Sequence, residues 1–319
     1  MSDSTMPRPP ACPATWPALP VAAWQDTRDT LHLWTQIVGK VRLALMPWVN
    51  HSWHTTLYVT ARGLTTSLMP YRGRGLEIEF DFCRHLLEMR TTGGDERHVR
   101  LEPRSVADFY AETMARLAEL DMMVHILPRP VEIPVAIPFA EDETHASYDA
   151  EYAHRFWLSL VQAHRVLTRF RSGFVGKVSP VHFFWGGFDL AVTRFSGRSA
   201  PRHPGGVPNC ADWVMQDAYS QEVSSCGYWP SGAGEGSFYA YAYPEPAGFR
   251  NWPVEPEGTS YDTGLGEFVL PYERVRTAED PDATLLSFLQ STYEAEAELA
   301  HWDRDRLEPR LPMSGTPAA

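Results

Sequence analysis

Residues that could carry chemistry concentrate in one stretch of eighteen residues, 181–198, which reads VHFFWGGFDLAVTRFSGR. It combines His182 and Asp189 with apolar aromatic rings and two adjacent glycines. An imidazole or carboxylate enclosed by apolar rings has its pKa moved toward neutrality, which suits a group that exchanges protons with a substrate. We therefore expect acid–base catalysis by His182 or Asp189, together with Glu222 on a later strand.

Asp189 also has a structural interpretation. Arg194 and Arg198 follow it in the same stretch, and a carboxylate near two arginines is commonly part of an ion pair that holds a hairpin together. The sequence slightly favours this ion pair, so the catalytic role of Asp189 is one of two alternatives.

His182, Glu222 and His203 form a second hypothesis, a metal site. Zinc or iron needs two or three such ligands that converge, with a position left open for water. The alternative is that His182 forms a hydrogen bond inside a sheet and that His203 is an ordinary loop residue. A divalent metal is thus one cofactor that the sequence allows. No nucleotide cofactor is expected, because the sequence has neither a GxGxxG nor a GxxxxGK run.

Substrate binding is assigned to arginines and aromatic rings near these groups. Arg194 and Arg198 carry guanidinium groups that bind carboxylates and phosphates with two hydrogen bonds, and glycines in the following loop let backbone N–H groups approach an anion. His203 would contact the substrate from that loop. Tyr241 and Trp185 would form an aromatic wall, although a row of tyrosines also packs well between two sheets.

Two further patterns have both a chemical and a structural interpretation. Cys83 and Cys226 could be nucleophiles, but no activating cation or helix N-terminus is visible, so we interpret them as buried apolar residues. On the first predicted helix, Lys40 follows Gln36 and His32 at a spacing of four. At this spacing the three side chains lie on one face of the helix, which could turn inward. The interpretation favoured here is that they form a solvated stripe.

Helices and antiparallel strands must position these residues. Alternation of period two marks strands on both sides of a central helix, and the two strands of 181–198 meet at the adjacent glycines as a hairpin. The predicted fold class is α+β, with two similar halves that are each a mainly antiparallel sheet flanked by helices. Apolar residues recur at helical spacing in four segments, 27–46, 106–120, 148–170 and 281–302.

Proline-rich segments divide the chain into parts. The first helix is expected to begin at a cap on Asp26 or Thr27. The predicted parts are an extended arm over 1–24, a first α+β half over 25–127, a connector over 128–146, a second α+β half with long loops over 147–308 and a disordered tail over 309–319.

The similarity of the two halves favours an internal duplication. Both have the order helix, strands, helix, and His54 aligns with His182 without a gap in the surrounding residues. The second half alone carries long insertions, at 197–219 and 244–264. Insertions limited to one half tend to mark the half that binds a ligand, so we expect the site beneath these two loops.

The composition restricts the class of protein. A net charge of −12 argues against binding to nucleic acid, which needs a basic surface. No apolar run approaches the length of a membrane span, and the N-terminus lacks a signal peptide. We therefore expect a cytoplasmic protein whose partner is a small-molecule ligand, not a nucleic acid or a membrane. The oligomeric state is left open.

Five blocks of the sequence are long and specific enough to compare with known families. They read TLHLWTQIVGKVRLAL, YVTARGLTTS, HFFWGGFDLAVTRFSGR, EVSSCGYWP and FYAYAYPEP, and they span about residues 30–302. These blocks resemble an uncharacterised bacterial family, one of the domains of unknown function. The resemblance implies no activity, cofactor or site residue.

The working hypothesis is an enzyme that acts on a small polar or anionic molecule in a cleft of the second half, by acid–base or metal-assisted chemistry. The alternative is a non-catalytic protein that binds a sugar-like or aromatic ligand. Titratable groups with shifted pKa values in the pocket would favour the enzyme, whereas a pocket of aromatic and neutral polar groups alone would favour the binding protein.

Overall fold

The computed structural model describes residues 16–309, so most of the predicted arm and the tail from residue 310 lie outside the described residues. Within this range the chain forms two six-stranded antiparallel sheets and seven α-helices. The predicted α+β class, with one sheet in each half, is confirmed. No helix in the same range is long and apolar enough to cross a membrane.

The first half consists of a long helix, a sheet and a second helix. Its strands follow one another in space in the order β1-β2-β4-β5-β6, and β3 pairs with β4. The elements are α1 (Val21–Leu45), β1 (Tyr58–Val59), β2 (Gly63–Thr65), β3 (Met69–Tyr71), β4 (Arg74–Asp81), β5 (Leu86–Thr91), β6 (Glu96–Arg100) and α2 (Val106–Glu119).

The second half also begins with a long helix and ends in helices. Its strands are arranged in the order β11-β12-β10-β9-β8-β7. The elements are α3 (Ala150–Ser172), β7 (His182–Phe184), β8 (Asp189–Ser199), α4 (Asp212–Ala218), β9 (Gln221–Trp229), β10 (Ser237–Tyr243), β11 (Ser260–Asp262), β12 (Glu267–Pro271), α5 (Tyr272–Arg276), α6 (Pro281–Leu299) and α7 (Arg304–Leu307).

Helix α1 begins at Val21, so the prediction of a cap at Asp26 or Thr27 is wrong, and the last residues of the predicted arm are helical. The N–H of Val21 donates to the carbonyl of Gly234 at 2.8 Å, which satisfies this helix end without a side-chain cap. The buried ring of Trp24 stabilises the same first turns by packing in the core.

The two sheets meet edge to edge. Leu57, beside β1, and Phe183, in β7, exchange both backbone hydrogen bonds, at 2.9 and 2.7 Å. The core also joins the halves, because the ring of Phe156 on α3 stacks on Trp24 of α1 at 5.4 Å and on Phe188 at 5.0 Å. One buried apolar cluster therefore includes residues from both sheets. A common origin of the two halves stays a prediction.

The hairpin of β7 and β8 has the predicted turn and faces. Phe184 pairs with Asp189, which leaves a tight connection that contains both glycines. Leu190 and Val192 are fully buried in the core. Asp189 and Thr193 alternate with them and point to the opposite face of the sheet, where a cavity lies.

Candidate functional site

A cavity of about 380 Å³ lies between this polar face of the second sheet and the first half. Strands β7 to β10 form its floor, and the C-terminal half of α1 with residues 48–55 forms the opposite wall. Residues 131–132 and α4 close the sides. This cavity therefore does not lie beneath both of the long loops. The 197–219 stretch contributes α4, whereas 244–264 contributes no lining residue.

Asp189 is the acidic group on the floor. The hydroxyl of Tyr239, on β10, donates to its Oδ2 at 2.5 Å. Burial raises the pKa of Asp189 to about 6, although the hydrogen bond from Tyr239 acts in the opposite direction. The ion pair with Arg194 or Arg198 that the sequence slightly favours is not formed, because both guanidinium groups bind elsewhere.

Glu132 brings a second carboxylate to the cavity from the connector between the halves. A Cβ placed on Gly187 would lie 3.8 Å from Oε2 of Glu132 and 2.6 Å from Oδ1 of Asp189. The residue as a whole is exposed. Its carboxylate nevertheless packs over Gly186, where any Cβ would overlap it. Burial of this end of the side chain and the nearby charge of Asp189 raise the pKa of Glu132 to about 7.

Neutral hydroxyl groups continue the polar floor. The hydroxyls of Tyr219 and Tyr241 are 2.9 Å apart, and so are those of Thr193 and Ser225. Burial raises the pKa of Tyr241 to about 12, so this phenol stays protonated at neutral pH. Tyr241 lines the cavity as the predicted aromatic wall requires.

Lys40 faces the cavity from α1. It is only 4% exposed, and its Nζ lies 5.7 Å from the ring centroid of Trp185. Within residues 16–309 this Nζ makes no hydrogen bond or ion pair, and burial lowers its pKa. Trp185, a predicted wall residue, lines the cavity and donates its indole N–H to the carbonyl of Thr55 at 2.7 Å.

The interpretation of the His32, Gln36 and Lys40 stripe as solvated is wrong. Gln36 is fully buried and forms hydrogen bonds with both backbone groups of Val131, and Nε2 of His32 lies 2.8 Å from the carbonyl oxygen of Gly186. Because α1 is enclosed by the connector and the hairpin, its polar stripe is an interior surface. The stripe anchors the connector that carries the second carboxylate.

Aromatic rings surround the polar groups. Trp48 and Trp213 are 52% and 56% exposed, and their ring centroids are 5.4 Å apart at the opening of the cavity. Trp53, Phe184 and Phe195 line the interior. A planar apolar molecule could therefore stack on rings at the opening and inside.

His182 does not line the cavity, although it was the leading catalytic candidate. It is completely buried, and its Nδ1 lies 3.1 Å from the hydroxyl of Thr56. Burial lowers its pKa to about 3, and the charge of Arg42 acts in the same direction. His182 is thus a neutral interior residue between the halves, which agrees with the structural alternative.

Glu222 lies in a different environment. It binds Arg198 at 2.6 Å and accepts a hydrogen bond from Ser196 at 2.8 Å, beside a second cavity of about 300 Å³ that also contains Glu296. His203 stacks on Tyr219 at 4.7 Å, outside the lining of the first cavity. The structure therefore does not bring the three proposed metal ligands together.

Within residues 16–309, no group of three or more His, Cys, Asp or Glu side chains is arranged to hold a metal ion. The metal hypothesis for His182, Glu222 and His203 is accordingly not supported. The reason is that His182 on β7, Glu222 at the start of β9 and His203 in the loop between β8 and α4 are directed to separate places.

The two arginines proposed as substrate anchors are structural. Arg194 points to the opposite face of β8, where its guanidinium lies 3.5 Å from the ring centroid of Phe170 and donates to the carbonyl of the same residue. Arg198 binds Glu222 and the carbonyl of Ala300 beyond α6. Neither lines the first cavity.

Neither Cys226 nor Cys83 supplies a nucleophile to this cavity. Cys226 is buried, and burial raises the pKa of its thiol to about 12, so it stays a thiol at neutral pH. Cys83 is exposed and lies outside the lining of the first cavity, so the expectation that it is buried is wrong.

Sequence reasoning missed Glu132 and underrated Lys40. Nothing in the connector distinguishes Glu132, because only the folded chain places it over the hairpin. For Lys40 a signal was present, since the sequence contains only two lysines, Lys40 and Lys177, among its 28 basic residues. The second one donates from Nζ to Nε2 of His51, a lining residue of the same cavity, at 2.6 Å.

Fold and site together define an α+β protein whose two antiparallel sheets share a core and which holds, between its halves, an aromatic cavity that titratable side chains also line. Residues 16–309 match a family described as "Family of unknown function (DUF5996)". The chain belongs to this family, which confirms the resemblance to a domain of unknown function. Neither the curated proteins nor the solved structures gave a match to the chain.

Proposed function

We propose that this protein is an enzyme that transfers protons to and from a small molecule bound in the cavity between its halves. The ligand has a planar apolar body and a polar head. The observation that supports this most strongly is that Asp189, hydrogen-bonded to Tyr239, and Glu132 converge at one end of an aromatic cavity.

The two carboxylates suit opposite roles at neutral pH. With a pKa of about 6, Asp189 is mostly ionised and takes up a proton. With a pKa of about 7, Glu132 is protonated in a large share of molecules and gives one. Tyr239, whose pKa is raised by burial, stays protonated and fixes the orientation of Asp189.

The walls indicate the substrate class. A volume of about 380 Å³ is within the range of small-molecule sites, and the aromatic lining favours a flat apolar body. Lys40 supplies a cationic or neutral amine that lies over the Trp185 ring and has no hydrogen bond or ion pair within residues 16–309. Such a group favours a head that carries oxygen atoms, such as a carbonyl or a carboxylate.

A non-catalytic binding protein is the second candidate. The aromatic rings and the neutral hydroxyls of the floor would bind such a ligand without any reaction. The two candidates differ in whether the carboxylates act on the bound molecule.

Naphthylacetone in deuterium oxide tests the proposal, because its methylene protons lie between a flat ring and a carbonyl. We expect the protein to accelerate their exchange roughly 100-fold over buffer, as proton transfer by positioned side chains does. The rate is followed by proton NMR. Asp189→Asn is expected to remove the acceleration, and Glu222→Gln, in the other cavity, is the matched control that retains it.

Calorimetric binding of naphthylmethanol separates the two candidates. Binding together with exchange supports the enzyme. Binding at the cavity without any accelerated exchange supports the non-catalytic protein, and the absence of both contradicts the assignment of this cavity as a ligand site.

A further inference from the structure

We propose that Lys40 is the nucleophile of this site and that it forms an imine with an aldehyde or ketone carbonyl of the ligand. This inference rests on the proposed function, because it assigns the chemical class of the head group. It adds a covalent step that proton transfer by the carboxylates alone does not require.

The first argument is the choice of residue type. The chain uses arginine for all but two of its 28 basic residues, and the two lysines both belong to this cavity, Lys40 in its lining and Lys177 bonded to the lining residue His51. Arginine does not lose its proton in proteins, whereas lysine does so when it is desolvated. A lysine at this position, unlike an arginine, can therefore supply a neutral amine.

The second argument is the environment of the amine. Lys40 is 4% exposed, its Nζ has no hydrogen bond or ion pair within residues 16–309, and it lies 5.7 Å from the centroid of the Trp185 ring. A structural lysine at this depth would have a carboxylate partner. The amine instead points to the space where a ligand would bind.

The two lysines differ in a way that the experiment can use. Nζ of Lys177 is occupied by His51 at 2.6 Å and by Gln221 at 3.1 Å. Lys177 is therefore an internal control with a hydrogen-bonded amine, whereas the amine of Lys40 lies over the Trp185 ring and has no hydrogen bond within residues 16–309.

The step balances with groups that the cavity holds. The neutral amine of Lys40 adds to the carbonyl carbon, which forms the C–N bond and turns the carbonyl into an alkoxide. A proton moves from nitrogen to this oxygen and gives the carbinolamine. Glu132 then protonates the hydroxyl, water leaves as the C–O bond breaks, and the nitrogen lone pair forms the C=N bond. Nζ of Lys40 lies 5.7 Å from the ring centroid of Trp185, and the carboxylate of Glu132 packs over the next residue, Gly186, so the amine and the acid approach the same segment of the hairpin.

The imine explains why a base faces the same cavity. A protonated imine withdraws electrons from the neighbouring carbon and acidifies its C–H bonds. Asp189 is the group placed to take up that proton. The predicted substrate class is therefore an aldehyde or ketone with a planar apolar body and a hydrogen on the carbon beside the carbonyl.

The test is reductive trapping on the whole chain. The protein is mixed at neutral pH with sodium cyanoborohydride and naphthaldehyde. A parallel sample contains propanal, an aldehyde too small to need stacking, in place of naphthaldehyde. The labelled peptides are then mapped by mass spectrometry. We expect the adduct to form several-fold faster on Lys40 than on Lys177, because Nζ of Lys177 is hydrogen-bonded to His51 and Gln221. Lys40→Arg should remove this adduct, and excess naphthylmethanol should slow its formation.

Equal labelling of both lysines, or no adduct on Lys40 with either aldehyde, overturns the inference. This readout uses the unmodified protein, so it holds even if Lys40→Arg does not fold. Accelerated exchange of naphthylacetone without trapping leaves the proposed function intact and removes only the imine. Trapping on Lys40 without accelerated exchange leaves the imine and contradicts proton transfer by Asp189.

Discussion

At the scale of residues, the direction of each side chain decides which charged groups share a site. Asp189 and Arg194 are five positions apart on one strand, so they point to opposite faces of the sheet and cannot form a pair across it. Because side chains alternate between the two faces of a strand, the sequence alone was sufficient to exclude that ion pair. The partner that the fold supplies, Tyr239, lies two strands away.

Asp189→Asn is expected to stabilise the protein in a pH-dependent manner. The folded pKa of about 6 lies above the unfolded value of ~3.9, so the protonated form is favoured by folding. That contribution to stability is complete below pH ~4 and is lost as the pH rises through the folded pKa. Because asparagine has no charge to bury, the free energy of unfolding should increase by roughly 1–2 kcal/mol at pH ~8.

Urea unfolding of both proteins at pH ~4 and pH ~8 measures this difference. An equal effect of the substitution at the two pH values would show that the aspartate is not a destabilised group in the folded protein.

Arg194→Met is expected to leave ligand binding unchanged. Its guanidinium is buried among Phe170 and Tyr293 on the face of β8 opposite the cavity. Trp185→Leu, which removes a lining ring, should weaken the binding of naphthylmethanol by up to roughly tenfold, because an aromatic contact contributes about 1 kcal/mol. Calorimetry of the two variants checks this pair. A loss of binding in Arg194→Met alone would restore Arg194 as a substrate anchor.

At the scale of elements, the sequence predicted the hairpin, and residues close together along the chain also account for two helix caps, but the surroundings of α1 were not predicted. The alternation of apolar and polar residues along β8 correctly predicted which face of this strand is polar. Oγ of Ser105 accepts from the N–H of Asp108, and Oδ1 of Asp280 accepts from that of Ala283, because capping depends on residues only three apart. Whether the polar stripe of α1 faces water depends instead on the distant connector and hairpin that cover it.

Gly39→Ala tests how closely α1 and the hairpin approach each other. A Cβ at this position would overlap the indole ring of Trp185. We expect a loss of stability of about 1–3 kcal/mol, as overpacking in a core produces, together with weaker binding of naphthylmethanol. Gly93→Ala, whose new Cβ would have no contact closer than 3.4 Å, is the control. Urea unfolding and calorimetry measure both effects, and equal behaviour of the two variants would contradict this packing.

At the scale of the whole molecule, the site belongs to both halves. The second sheet supplies Asp189, α1 of the first half supplies Lys40 and the connector supplies Glu132. The sequence singled out the strand that carries Asp189 but considered only one half, because no local pattern records which surfaces meet when two sheets join at an edge. The residues that were wrongly grouped, His182 and Glu222, share a half but no cavity.

Phe156→Ala tests the shared core. The ring is completely buried between Trp24 of the first half and Phe188 of the second. Removing it should reduce the free energy of unfolding by about 3–5 kcal/mol and leave one cooperative transition, because both halves lose the same contact. Leu158→Ala, on the same helix but partly exposed, should have a smaller effect. Two separate transitions by tryptophan fluorescence and circular dichroism would show that the halves unfold independently.

The pH dependence of naphthylacetone exchange tests proton transfer in the cavity most directly. After subtraction of the rate in buffer, we expect the rate to rise as Asp189 ionises, with a pKa of about 6, and to fall as Glu132 loses its proton, with a pKa of about 7. The maximum should lie between these values, and Asp189→Asn should abolish it. A rate that does not change between pH ~5 and ~8, or one that Asp189→Asn retains, would contradict proton transfer by these carboxylates.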